Sequence, residues 1–138
     1  MQSRFLTIFI LCASLLVRLP ARAEEDPLGS LRQLSNEMYR LSQEMITHGS
    51  EGHAHEIVSH GREMIERTET LIREVESSPL PALQEKKKAI LASLKATLKQ
   101  AQAAVRLGEQ EKTGPALDAS RKASFRAKQS RQQLQSLK

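Results

Sequence analysis

Apolar residues recur along this chain at helical spacing. Leu28, Leu31, Leu34, Met38, Leu41 and Met45 follow one another at intervals of 3, 3, 4, 3 and 4, which is the heptad-like seam of an amphipathic helix. Asp26 followed by Pro27 supplies an N-cap and a first-turn proline, so the helix is predicted from there to about Thr47. Gly49-Ser50-Glu51-Gly52 then breaks the pattern in a loop short enough to force an antiparallel neighbour. A second helix is predicted from about Glu51 to Glu76, with Ile57, Met64, Ile65, Leu71, Ile72 and Val75 as its apolar positions. Ser77-Ser78-Pro79-Leu80-Pro81 ends it and opens a third, capped by Ser78, that carries Leu83, Ile90, Leu94, Leu98, Ala101 and Val105 and closes at Gly108. The fourth runs from about Pro115 to Leu137 along Ala116, Ser120, Ala123, Ala127, Ser130, Leu134 and Leu137. Its apolar face is the weakest of the four, and it is expected to dock least stably.

Four amphipathic segments with short connections predict an all-α fold, an antiparallel four-helix bundle. His48-Gly49 at the end of the first helix corresponds to Leu107-Gly108 at the end of the third. The bundle is therefore expected to be one domain, 24–138, made of two duplicated hairpins, 24–78 and 79–138. Few β-branched and aromatic residues are present to fill a sheet, and few Gly and Pro to turn one.

The first residues follow a different pattern. Arg4 precedes an apolar run from Phe5 to Val17, and Ala21-Arg22-Ala23 presents small residues where a signal peptidase reads. Residues 1–23 are expected to be a cleaved signal peptide, and the protein to be periplasmic or secreted. Thirteen apolar residues are short for a membrane span, and no membrane association is expected after cleavage. Cleavage also alters the charge. The remaining chain has 18 basic and 16 acidic residues, so its net charge is only +2. With Tyr39 and Phe125 as its only aromatics, it is not expected to bind nucleic acid. Cys12 departs with the leader, leaving His, carboxylate and Met as metal ligands. The charge is divided between the halves: 24–78 has 12 acids and 5 bases, net −7, and 79–138 has 4 acids and 13 bases, net +9. Opposite hairpins are expected to attract, or a basic hairpin to face an acidic partner.

The most informative feature is that all four histidines, His48, His53, His55 and His60, lie within 13 residues around the first turn. Neutral imidazole is the commonest protein ligand for late first-row metals, and a turn brings side chains from two helices onto one ion. On a continuous second helix at about 100° per residue, His53, Glu56 and His60 share the face of the apolar seam while His55 points away. Glu44 and His48 stack four apart on the preceding helix and face that group. The candidate metal ligands are therefore His48, His53 and His60, with Glu56 or Glu44 as oxygen ligand or acceptor and His55 at the margin. His53 and His60 would stand about 10.5 Å apart along the helix axis. Either two weak sites form, or the first turn frays so that His53 folds back. Met38, Met45 and Met64 fall at helical spacing and are expected to fill the core.

His48-Gly49-Ser50-Glu51-Gly52-His53, followed by Ile57-Val58-Ser59-His60, resembles the His-Gly-x-Glu-Gly-His, apolar pair, His pattern of the small periplasmic metal-binding proteins described from nitrifying bacteria. Those are exported, His-rich four-helix bundles that bind divalent copper and also nickel or zinc. The resemblance implies ligand roles for His48, His53 and His60 and a function in buffering or scavenging metal. Leu41, Arg67, Leu107 and Ser120 stand where that pattern would place further histidines, so a capacity of one or two ions is expected. Copper(II) is expected to bind above nickel or zinc, an order set by the ions more than by the site.

No nucleophile and base stand at recognisable spacing, and there is no phosphate loop or cysteine pair. The chain is not expected to be an enzyme. The alternative to a metal buffer is a non-catalytic structural or interaction bundle whose acidic and basic hairpins hold a periplasmic protein partner.

Overall fold

A computed structural model describes residues 26–138; the expected signal peptide and Cys12 lie outside the described residues. The described chain is all-helical, with five helices packed together: α1 (Pro27–Ser50), α2 (Ala54–Ser77), α3 (Pro81–Gln84), α4 (Lys87–Glu109) and α5 (Thr113–Gln135). None of these helices is long and apolar enough to cross a membrane.

The four long helices close a cycle in which α1 packs on α2 and α5, and α4 packs on the same two. Their contacts fix the register. Glu37 pairs with Arg67 and Glu44 faces His60 across α1 and α2. Arg62 pairs with Glu109, and Glu76 with Lys95, across α2 and α4. Gln43 bonds Ser124, and Asn36 bonds Gln135, across α1 and α5. In each pair, residue numbers rise on one helix as they fall on the other, so the neighbours run antiparallel. The Arg32 guanidinium donates to the Leu137 carbonyl at 2.6 Å and ties the last residues to the start of α1.

The core is the seam expected from the spacing. Met38, Met45, Ile57, Met64, Leu71, Val75, Leu83, Ile90, Leu94 and Leu134 have no exposed surface. On α5 every buried position but Leu134 is small: Ala116, Ala119, Ala123 and Ala127, with Ser120, Ser124 and Ser130. Such a helix gains little from burial per residue, but its small side chains permit close approach. Most buried hydroxyls are satisfied within their own helix, and that of Ser124 is met from α1. Thr68, Thr97 and Ser120 donate to the carbonyl four residues back at 2.6, 2.9 and 2.8 Å, and Gln43 Nε2 reaches Ser124 Oγ at 2.5 Å.

Three boundaries differ from expectation. α1 does not stop before Gly49 but continues to Ser50. Gly49 serves packing there, since a Cβ would lie 3.0 Å from both Ile57 Cδ1 and Leu117 Cδ1. The expected third helix is broken: α3 is one short turn, and α4 begins at Lys87. Between them Lys86 N–H bonds the Leu83 carbonyl, a tight i to i+3 contact. The Lys87 ammonium turns back to the Glu76 and Ser78 carbonyls at 2.7 and 3.4 Å, answering the unpaired carbonyls at the end of α2. Ser78 is the C-cap of α2, and its hydroxyl accepts from Leu80 N–H at 3.3 Å. Lastly, α2 starts at Ala54 and leaves His53 outside it as N-cap.

Candidate metal centre

The turn between α1 and α2 explains how the histidines are placed. Glu51 is the C-cap of α1, and Gly52 follows with φ +87°, the left-handed conformation in which a side chain is strained. Gly52 N–H bonds the Gly49 carbonyl at 3.2 Å, and His53 N–H bonds the His48 carbonyl at 2.9 Å. This pair of bonds is a Schellman motif. Its geometry brings the side chain of the third residue before the cap against that of the second residue after it, here His48 and His53. The same bonds recur at the turn between α4 and α5. Glu111 N–H bonds the Gly108 carbonyl at 2.8 Å and Lys112 N–H bonds the Leu107 carbonyl at 3.0 Å, with Glu111 left-handed at φ +57°. His48, Gly52 and His53 thus have Leu107, Glu111 and Lys112 as counterparts.

The His48 and His53 rings are 6.1 Å apart. Each directs Nδ1 to the same Glu51 Oε2, at 3.4 Å in both cases. One ligand atom from each of His48, Glu51 and His53 lies within 4.8 Å of the others. Two ligands about 2.0–2.1 Å from one ion and separated by 90–110° stand roughly 2.9–3.4 Å apart. The observed spacing fits that edge and is long for a direct hydrogen bond. His48 Nδ1 is buried without a hydrogen-bond partner, whereas His53 and Glu51 are half exposed, leaving the group open to solvent.

His60 lies one layer further along α2. Its ring stacks on His48, 5.3 Å between centroids and 12° between planes. Its nitrogens turn to other partners: Nδ1 is 3.3 Å from Glu44 Oε2 on α1, and Nε2 is 3.7 Å from Glu56 Oε2 on α2. His60 Nδ1 is likewise buried without a hydrogen-bond partner. Glu44 and Glu56 each use their second oxygen elsewhere, Glu44 on Arg40 and Glu56 on His55 Nε2 at 3.2 Å. His55, with 79% of its side chain exposed, stands at the outer edge.

The structure therefore brings His48 and His53 together and sets His60 with Glu44 and Glu56 beside them, but His53 and His60 do not share a helix face. The wheel that aligned them began α2 at Glu51. His53 instead precedes the helix and bends back through the Schellman bond to His48. Glu51 was not singled out from the sequence. Its signal was available: with Gly52 as the left-handed residue after the cap, Glu51 falls between the two histidines that such a cap joins.

Compared with known proteins, the chain matches no family model, no curated protein and no solved structure.

Proposed function

We propose that this chain is an exported, non-enzymatic protein that binds and buffers a divalent transition metal, copper(II) above nickel or zinc. His48 and His53 supply imidazole nitrogen, and Glu51 supplies oxygen. The observation that carries this is the convergence of His48 Nδ1 and His53 Nδ1 on Glu51 Oε2, 3.4 Å each, at the separation expected of ligands sharing one ion. Export follows from the leader pattern at residues 1–23, and copper ahead of nickel or zinc from the intrinsic order of the ions. The fold is an antiparallel four-helix bundle built from two copies of one hairpin, as in the small periplasmic metal-binding proteins it resembles. The duplication is supported by the matching hydrogen bonds of the turns at Gly52 and Glu111.

Calorimetric titration with copper(II), nickel(II) and zinc(II) tests the proposal. Copper should bind most tightly. His48→Ala combined with His53→Ala should abolish tight binding, and His55→Ala should leave it nearly unchanged. Wild-type copper affinity in the double variant would refute the metal role and favour the interaction bundle.

A further inference from the structure

We infer that His60 and Glu44 form a second, inner cation site, which fills after the His48–Glu51–His53 site. This presupposes the metal-binding role proposed above and adds to it a division of ligands between two ions. The division follows from where the rings point. His48 and His53 converge on Glu51, whereas neither nitrogen of His60 faces that oxygen; they face Glu44 and Glu56. Among the described residues, the one group of three or more His, Asp or Glu side chains whose ligand atoms all fall within 4.8 Å contains His48, Glu51 and His53 and not His60.

The two nitrogens of His60 divide the work. Nδ1 and Glu44 Oε2, 3.3 Å apart, have the separation of two ligands on one ion, and Nδ1 has no hydrogen-bond partner to lose. Nε2 lies 3.7 Å from Glu56 Oε2, so with an ion on Nδ1 the proton-bearing Nε2 would face a carboxylate, which orients the ring. Arg40 and His55 engage the other oxygens of Glu44 and Glu56 and orient them. Glu56 is thus a positioning residue and Glu44 a ligand.

The order of filling follows from ligand number and charge. The outer site offers three protein ligands and the inner site two, so the inner ion keeps more of its water. The two sites adjoin through the His48–His60 stack at 5.3 Å. An ion on the outer site therefore repels the second, and the inner site should bind at least about tenfold more weakly once the first is filled.

The test is titration of the full chain, carrying Cys12→Ser so that no thiol competes, with copper(II) alone, followed by calorimetry and by electron paramagnetic resonance. Two binding events and two copper spectra are expected. His60→Ala or the isosteric Glu44→Gln should remove the weaker event and its spectrum while the stronger remains. His53→Ala should remove the stronger and keep the weaker. A single event lost in both His53→Ala and His60→Ala would mean one shared ion, overturning the second site while the metal role stands. A single event untouched by His60→Ala would also overturn it. No event at all would remove the metal role itself.

Discussion

Gly61, next to His60, sits where α2 packs tightly against both α1 and α4, and its replacement has a sign that depends on one other residue. A Cβ at Gly61 would lie 2.5 Å from Val105 Cγ2 on α4 and 3.3 Å from Met45 Cε on α1. Gly61→Ala gains about 1 kcal/mol of helix propensity. Against that stands an overlap no packed pair tolerates, with Val105 92% buried and little able to move; overpacking of this kind costs about 1–3 kcal/mol. The net expectation is destabilisation by about 1 kcal/mol. In a Val105→Ala background the nearest atom left is the flexible end of Met45, so the propensity gain should emerge and Gly61→Ala should stabilise by about 1 kcal/mol. The coupling between the two positions is then about 2 kcal/mol. Urea denaturation of the four proteins of the cycle, followed by helical circular dichroism, measures it. If Gly61→Ala stabilised the wild type, or destabilised both backgrounds equally, the close approach of α2 to α4 would not be what keeps glycine there.

The two turns give a matched pair of expectations. Gly52→Ala should cost about 1–2 kcal/mol from backbone strain alone, because nothing lies within 4 Å of the added Cβ. Glu111→Gly, at the equivalent left-handed position, should stabilise by about 0.5–1 kcal/mol, and denaturant midpoints check both. Leu94→Ala, at a fully buried site, should cost about 2–5 kcal/mol, read from the same curves. Building His, Glu and His at the second turn with Leu107→His, Gln110→Glu and Lys112→His should add one copper ion to the titrated stoichiometry. An unchanged stoichiometry would mean that the Schellman geometry is insufficient to assemble ligands.

The hairpins' opposite charges are a smaller part of the interface than their totals imply. Lys95 on Glu76 pairs a basic second half with an acidic first, but Arg62 on Glu109 pairs them the other way, and both contacts are exposed. Exposed pairs of this kind contribute little. The apolar seam, with the bonds of its buried hydroxyls, forms the centre of the helix contacts.

The sequence by itself determined the helices and the core. Spacings of three and four among Leu, Ile and Met decide which face of each segment is apolar, and burial of that face needs no knowledge of the partner. Capping residues and short connections then leave antiparallel neighbours as the available arrangement. The clustering of all four histidines at one turn was equally legible. Where each ring points was decided by tertiary structure. Two glycines sit within four residues of that turn, and Gly52 alone takes the left-handed backbone, while Gly49 remains helical against Ile57 and Leu117. That choice ends α1 at Ser50, places His53 outside α2, and puts Glu51 between His48 and His53. A helical wheel assumes one continuous helix and cannot register it. The break at Glu85 and Lys86 has the same origin, since Lys87 meets the carbonyls of α2 only once the helices have docked. The pairing of His60 with Glu44 joins residues sixteen apart on different helices; helical spacing set them on facing sides, and the register of α1 on α2 decided which oxygen meets which nitrogen. Local periodicity is written in neighbouring residues, whereas ligand geometry depends on the relative placement of helix ends, which long-range packing decides.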